Sequence, residues 1–261
     1  MRRLIIFIAL IIILIATYKL RQISADWHYV VPAEPGELLY VSSFDGSSDD
    51  WEKYTSNETS TQALDGIMRV TVNRITLGAD DIIQYSAVSP YFGDFDFSVE
   101  ARAIEGYFGD NNNAYGVVFR QHDRDNFFVF LISGDGYYRI DRIKDGVSEN
   151  IFPWGLQSES IDQGLDTVNH LRVVGYEDRF QFYINDTLLL WCTPDDPLHF
   201  STIHPITEEC MAGQWQDTLV NDSIPFGRLG VVVNGDIDLG ESIIVEFDNV
   251  VVFGPQPIGD E

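Results

Sequence analysis

Residues 95–103 read Phe-Asp-Phe-Ser-Val-Glu-Ala-Arg-Ala, and this stretch decides the fold. Apolar residues occupy every second position, and polar residues occupy the positions between them. Successive side chains of a β-strand point to opposite faces of a sheet, so a period of two predicts a strand with one buried face. An amphipathic helix would instead repeat its apolar residues every 3.6 positions.

The same alternation extends along the chain in both directions. Residues 68–73 and 180–184 repeat it, and no stretch after residue 25 shows a convincing helical period. Turn residues such as Asp145-Gly146 and Asn185-Asp186 separate the apolar segments. Further strands are predicted over 115–121, 127–133, 137–143, 168–175, 187–191, 228–234 and 242–253. Many strands without crossover helices predict an all-β sandwich of two antiparallel sheets.

Composition sets the limits on function. The chain has 261 residues, of which 45% are hydrophobic, so it can bury a full core and is not disordered as a whole. Its formal net charge is -25, and a field of that sign repels phosphate backbones, which excludes nucleic-acid binding. Its 2 cysteines are too few for a disulfide-dense miniprotein or a four-thiolate zinc site.

An apolar run over residues 4–16 follows two N-terminal arginines. If Lys19 and Arg21 snorkel toward the surface, the run approaches the length of one transmembrane helix. We therefore predict a signal anchor over 1–21. A cleaved signal peptide and a buried core helix are the alternatives.

The remaining chain divides into a stalk, one domain and a short tail. Residues 22–38 contain two prolines and are typical of a stalk, and residues 39–254 form the sandwich. Residues 255–261 are the tail. With a short basic N-terminus inside and an acidic domain outside, we expect a single-pass protein of the cell membrane whose globular domain is extracytoplasmic.

Several short motifs follow one another in a recognisable order. They are Phe44-Asp45-Gly46, Phe97–Ala101, Ala114–Arg120, Asp125–Phe130, Gly136–Tyr138, Asn169–Val173, Phe182–Asn185, Gly227–Val231 and Phe247–Val250. This order resembles the concanavalin A-like jelly rolls of the laminin G-like and 3-keto-disaccharide hydrolase-like group, over about residues 38–254. The resemblance implies two curved antiparallel sheets with ligands on the concave face or at the rim loops.

Sugar recognition needs an aromatic platform for the C–H face of the ring and planar polar groups for its hydroxyls. The candidate ligand-binding residues are Tyr115, Arg120, Tyr138, Asp141 and Trp154. The alternative is that the aromatic residues belong to the core and that Arg120 pairs with an acid. The predicted partners are therefore a carbohydrate and, through the N-terminal segment, a membrane.

A structural calcium ion is the one cofactor that we expect. Calcium prefers hard oxygen ligands, and related jelly rolls often hold it where the first and last strands meet. Asp45, Gly46 and Asp248 match those positions. The alternative is that both aspartates cap turns. A second candidate for the ion is the oxygen-rich stretch 110–113.

Residues 193–225 form an insertion relative to the resembled group, without an obvious strand pattern. Cys192 and Cys210 bracket part of it, and Trp215 lies within it. A loop of this length is uncommon unless it is functional or stapled. In an oxidising compartment we expect the two cysteines to form a disulfide.

Paired carboxylates would be needed for a glycosidase. Residues 236–241 read Asp-Ile-Asp-Leu-Gly-Glu, with a spacing similar to that of family-16 glycoside hydrolases, but they lie between two predicted strands and are expected to form a loop. We assign no catalytic residue.

The favoured function is a lectin-like module that binds carbohydrate without cleaving it. The alternatives are a glycoside hydrolase or lyase acting on a polysaccharide, and a structural or adhesive domain that binds protein.

Overall fold

The structure is a computed structural model. It describes residues 28–45, 50–73, 82–106, 113–152, 158–193, 209–235 and 242–259, together with residues 11, 13, 14, 17, 204 and 207. The chain divides into two compact units, Met1–Val30 and Val31–Glu261. Within the described part, no helix is long and apolar enough to cross a membrane. Most of the predicted signal anchor lies outside the described residues, so the anchor stays a prediction.

The second unit is built from β-strands. The strands are β1 (Val30–Val31), β2 (Leu38–Ser42), β3 (Tyr54–Thr55), β4 (Thr59–Leu64), β5 (Ile67–Val72), β6 (Ile82–Ala87), β7 (Tyr91–Phe92), β8 (Phe95–Glu105), β9 (Ala114–Asp123), β10 (Asn126–Ile132), β11 (Tyr138–Lys144), β12 (Val147–Phe152), β13 (Val168–Tyr176), β14 (Arg179–Ile184), β15 (Thr187–Leu188), β16 (Trp191–Thr193), β17 (Gln214–Gln216), β18 (Leu219–Val220), β19 (Arg228–Gly235) and β20 (Ile243–Phe253).

Two antiparallel sheets carry the architecture. A six-stranded sheet has the order β12-β11-β10-β9-β19-β6. A ten-stranded sheet has the order β15-β14-β13-β8-β20-β5-β4-β3, with β2 paired to β20 and β18 paired to β14. The long last strand β20 joins β8 along most of its length, and β5 and β2 share its other edge. The predicted all-β sandwich of two antiparallel sheets is confirmed.

The core lies between the two sheets. Every second side chain of β8 from Phe95 to Ala103 is buried in it, as the alternation predicts. Aromatic rings fill the centre, where Phe119 stacks on Phe128 with ring centroids 5.2 Å apart and contacts Phe180 at 5.4 Å. Burial of these large apolar surfaces is the main stabilising term of the sandwich.

Strands β9, β10 and β19 are buried on both faces. A second cluster, which includes Val118, Val129, Leu131 and Val232, covers the other face of the six-stranded sheet. This explains why β10 is a continuous apolar run instead of an alternating one.

The insertion contains strands that the sequence pattern did not show. β17 pairs with β16 as an antiparallel hairpin, and β18 adds to the edge of β14. Both strands are short, with three and two residues, which is too few for a period to be recognised.

Candidate functional site

The structure places three of the predicted ligand-binding residues in the core between the sheets. Tyr115 is 0% exposed, and its hydroxyl accepts a hydrogen bond from Asn169 Nδ2 at 3.3 Å. Burial raises the pKa of Tyr115 to about 12. Tyr138 stacks on Phe152, with centroids 5.2 Å apart. These tyrosines therefore form part of the packing of the sandwich, and neither offers a ring face to a ligand.

Arg120 is also a core residue. Its backbone has a φ of 50° at an irregularity of the β9–β19 register, and this turns its side chain inward. The guanidinium lies 5.7 Å from the ring centroid of Phe95 and 5.2 Å from that of Phe180. Burial lowers the pKa of Arg120 to about 10, while the charges of Asp94 and Asp178 oppose that shift.

The Arg120 guanidinium donates hydrogen bonds to backbone carbonyls instead of to an acid. Its Nη1 bonds the Ile224 oxygen at 3.1 Å and also the Pro225 oxygen, and its Nη2 bonds the Glu177 oxygen at 2.8 Å. Arg120 is therefore buried, and its guanidinium faces backbone carbonyls of the core. Arg120 instead ties the end of the insertion and the β13–β14 turn to β9.

Asp141 points to the other face of the six-stranded sheet and is also buried. Its carboxylate pairs with Arg139 Nε at 2.8 Å and accepts a hydrogen bond from Asn150 Nδ2 at 2.7 Å. Trp154 lies outside the described residues. The four described members of the predicted ligand set are thus divided between the core and the opposite face of one sheet, and these four do not form one site.

The predicted calcium ligands are only partly described, because Gly46 lies outside the described residues. Asp45 is exposed at the end of β2, and Asp248 Oδ1 accepts a hydrogen bond from the Asn249 amide at 2.6 Å. Two carboxylates fall short of the six to eight oxygens that calcium takes. No group of three or more His, Cys, Asp or Glu side chains suited to a metal occurs among the described residues. The described donors do not make a calcium site by themselves, and calcium stays a prediction.

A different site emerges on the outward face of the ten-stranded sheet. A groove of about 770 Å³ runs over β8, β13 and β14. The insertion forms one wall, and the C-terminal segment 256–259 forms the other. The polar and aromatic lining residues are Asp96, Arg172, Arg179, Gln181, Tyr183, Gln214, Trp215, Gln216, Asp217, Thr218 and Gln256. We call this feature the insertion groove.

A bidentate ion pair forms the floor of the insertion groove. Arg172 Nε and Nη2 bond the two carboxylate oxygens of Asp96 at 2.6 and 2.7 Å. Arg172 is also the cross-strand neighbour of Tyr183, and its guanidinium lies 4.7 Å from the centre of that ring. The hydrogen bond to Asp96 raises the pKa of Arg172, which favours the charged guanidinium.

A chain of hydrogen bonds links this floor to the wall. The Tyr183 hydroxyl donates to Gln181 Oε1 at 3.1 Å, and Gln181 Nε2 donates to Thr218 Oγ1 at 3.4 Å. Thr218 in turn donates to Asp217 at 2.9 Å. One end of this chain of bonds lies on β14, and the other end lies between β17 and β18, which are both paired. The polar groups of the groove are therefore held in position before any ligand arrives.

Trp215 stands on the wall and is 44% exposed. It lies on β17, directly opposite Cys192 of β16. Cys192 and Cys210 form a disulfide with a Cα–Cα distance of 5.4 Å, which confirms the predicted bridge. On the other side of Trp215, Leu219 is buried in the core and pairs with Phe180. The disulfide and Leu219 therefore brace the strand that presents the indole ring.

The C-terminal wall is anchored at Gly254. Its amide bonds the Glu37 oxygen and its carbonyl accepts from Gly36, both at 2.8 Å. A Cβ at this position would meet the Glu34 carbonyl oxygen at 1.9 Å, so only glycine allows this approach. The described part of the predicted tail consequently begins at a fixed point, and its residues 256–259 line the groove.

Sequence reasoning identified Trp215 only as part of the insertion and missed the residues of the floor. The available signal was the set of outward positions on β13 and β14, where Arg172, Gln181 and Tyr183 alternate with buried residues. The alternating pattern predicts that these side chains point away from the core. It does not predict that the insertion covers them.

The fold defined by these sheets is the concanavalin A-like jelly roll, in agreement with the resemblance seen in the motifs. No protein-family model matches the sequence, and none of the curated proteins matches it. Solved structures do share the fold. Carbohydrate binding module CBM66 from Bacillus subtilis is 13% identical over 78% of this chain and 95% of its own, with a TM-score of 0.51.

Two further solved structures extend the comparison. A structure described as a native glycosidic hydrolase is 13% identical, covers 87% of this chain and 100% of its own, and has a TM-score of 0.50. A xylan beta-1,4-xylosidase from Bacillus halodurans C-125 is also 13% identical, with a TM-score of 0.50 over 85% of this chain and 41% of the enzyme. At these identities the likeness establishes the fold alone.

Proposed function

We propose that the insertion groove binds a carbohydrate and that the chain is a lectin-like module anchored in a membrane with its sandwich outside the cytoplasm. The observation that carries the proposal is the exposed Trp215 ring above a floor of fixed planar polar groups. An indole face packs against the C–H face of a sugar, while carboxamide and guanidinium groups bond its hydroxyls. The solved structures with this fold are named a carbohydrate binding module, a glycosidic hydrolase and a xylosidase, and these names support a carbohydrate as the class of ligand.

The charge of the chain favours a neutral sugar over an anionic one. The formal net charge of -25 repels a polyanion at long range. At short range, Asp96 already neutralises Arg172, the cation in the centre of the floor. A uronate or sulfated ligand would have to compete with this bidentate pair, whereas a neutral hydroxyl can bond to its remaining polar atoms.

Binding without cleavage is the simpler function for this groove. A glycosidase needs two carboxyl groups, of which one donates a proton to the leaving group. Asp96 accepts two hydrogen bonds from Arg172, and Asp217 accepts one from Thr218. Both described carboxylates of the groove already serve as acceptors for protein side chains, so hydrolysis ranks second.

Replacing Trp215 with Ala is expected to weaken glycan binding by at least tenfold, because the indole is a large exposed aromatic surface that lines the groove. A tenfold loss corresponds to about 1.4 kcal/mol, a modest value for an aromatic contact residue. A glycan array followed by calorimetry on the array hits gives the measurement.

Met211→Ala is the matched control, since Met211 is an exposed side chain of the same insertion that does not line the groove. It should leave the affinity unchanged. Equal affinities of the Trp215→Ala protein and the wild type would reject the insertion groove as the binding site.

The proposed location is tested by protease added to intact spheroplasts. The sandwich should be digested from outside, while a tag placed before residue 2 stays protected until the membrane is opened. The disulfide supports this arrangement, since such bonds persist in oxidising compartments. Digestion of the sandwich only after lysis would show that the domain lies inside.

A further inference from the structure

A second cleft lies at the opposite end of the ten-stranded sheet. It has a volume of about 610 Å³ and opens between β3, the last strand of that sheet, and β6, the edge strand of the six-stranded sheet. Side chains that line it include Glu52, Lys53, Tyr54, Ser56, Gln84 and Tyr85. We call it the edge cleft.

The backbone of the edge cleft is held firmly by the segment that crosses between the two sheets. The Glu52 amide bonds the Ala87 oxygen at 3.0 Å. The Glu52 carbonyl accepts from Ser86 Oγ at 2.6 Å and from Thr61 Oγ1 at 3.2 Å. Because these three bonds reach both sheets, the residues that follow Glu52 project from a fixed support.

Two tyrosines supply aromatic surface to the edge cleft. Tyr54 is 54% exposed, and its amide donates to Thr61 Oγ1 at 2.8 Å, which fixes its backbone beside β4. Tyr85 is half-buried, with its ring 5.5 Å from that of Phe127. Trp215 in the insertion groove likewise has an exposed ring on a backbone that is held by strand pairing and a disulfide.

Glu52 and Tyr85, two residues that line the edge cleft, are bonded to polar side chains that lie behind it. Glu52 pairs with Arg228, which also donates to Gln121 Oε1 at 2.6 Å. Gln121 in turn donates to the Tyr85 hydroxyl at 3.4 Å. An arginine–carboxylate pair, a glutamine and a tyrosine hydroxyl thus occur at both sites, but at the edge cleft the arginine and the glutamine support the lining residues from behind.

We infer that the edge cleft is a second saccharide-binding site and that the domain is bivalent. The inference rests on the proposed function of the insertion groove. The path from β14 to β3 crosses six strand-to-strand steps, so the two sites are separated by roughly 30 Å along the sheet. A short oligosaccharide fits one site at a time, whereas a polysaccharide can occupy both sites or join two molecules of the protein.

Titration calorimetry with neutral hexasaccharides tests the stoichiometry. The probes are xylohexaose, cellohexaose, laminarihexaose and maltohexaose, each used separately. The wild type should bind two molecules of a recognised probe, and Tyr54→Ala and Trp215→Ala should each bind one. The double variant should bind none. Tyr54→Phe, which keeps the ring, should retain both sites.

The parent polysaccharide of the recognised probe gives a second readout. The wild type should form large particles with it, measured by light scattering, and should bind it about a hundredfold more tightly than either single variant, because only two sites provide avidity. Melting temperatures of both variants should match that of the wild type, since both replaced rings are exposed.

The outcomes separate the two proposals. One bound molecule, lost in Trp215→Ala and kept in Tyr54→Ala, would overturn the second site and leave the insertion groove intact. Absence of wild-type binding to these probes and to a glycan array would overturn the proposed function itself. Binding of a peptide along β6 in place of a saccharide would also overturn the inference.

Discussion

An Arg120→Met protein is expected to lose about 3–5 kcal/mol of unfolding free energy, because three buried carbonyl groups lose their charged hydrogen-bond donor at once. Methionine fills part of the space between Phe95 and Phe180, but it cannot donate hydrogen bonds to the carbonyls of Ile224, Pro225 and Glu177. Each buried acceptor left without a donor costs about 1–3 kcal/mol. For a domain of this size the loss lowers the melting temperature by roughly 10 °C.

Arg124→Met provides the control for the loss of an arginine as such. Its side chain is 86% exposed, and its ion pair with Asp125 at 3.3 Å lies at the surface. Surface substitutions of this kind change stability by about 0.5 kcal/mol or less. Arg120→Lys keeps the charge but reaches fewer of the three carbonyls, so it should fall between the wild type and Arg120→Met. Equal melting temperatures of Arg120→Met and Arg124→Met would contradict the structural role of Arg120.

The strands could be predicted because their pattern is local. In β8, β5 and β14 the buried positions alternate with outward ones as the sequence does. Each of these strands has one face in the core, so a period of two reports its geometry directly. The same reasoning predicted the antiparallel sandwich, because the sequence pattern after residue 25 shows no helical period for a crossover between parallel strands.

The positions of single side chains depend on features that this pattern does not contain. Arg120 would leave the core if β9 alternated regularly to its end, but the irregularity at its positive φ turns the side chain inward. The hydroxyls of Tyr115 and Tyr138 are hydrogen-bonded inside the core, the first to Asn169 and the second to the Leu190 carbonyl. An aromatic residue with a buried partner cannot be told from a ligand platform by residue type alone.

The insertion groove depends on contacts between distant parts of the chain. β8, β13 and β14 supply its floor, and residues 214–218 and 256–259 supply its walls. The Cys192–Cys210 bridge was the one part of this wall predictable from sequence, because the number of cysteines and the expected compartment favoured their pairing. The position of Trp215 over the floor follows from the pairing of β16 with β17 and of β18 with β14, which the short strands do not signal.

Loss of the disulfide is expected to remove the insertion groove while the sandwich stays folded. The bridge closes a sequence separation of 18, and a loop of similar length restricts the unfolded chain by about 3 kcal/mol in the entropy model. Only Leu219 and Ile224 of the described insertion reach the main core, so little apolar burial is left to order β17 without the bridge. The sandwich has its own inter-sheet core and does not need it.

A Cys192→Ser/Cys210→Ser protein tests this expectation. Its affinity for the recognised glycan should fall at least tenfold, because only the fraction of molecules with an ordered hairpin presents Trp215. Limited proteolysis should cut within residues 193–225 first and leave a folded sandwich, and the unmutated protein treated with dithiothreitol should behave in the same way. Dithiothreitol should have no further effect on the double variant. Unchanged affinity in the double variant would show that Leu219 alone holds the wall, and complete unfolding would show that the insertion supports the sandwich; either result contradicts the role assigned to the bridge.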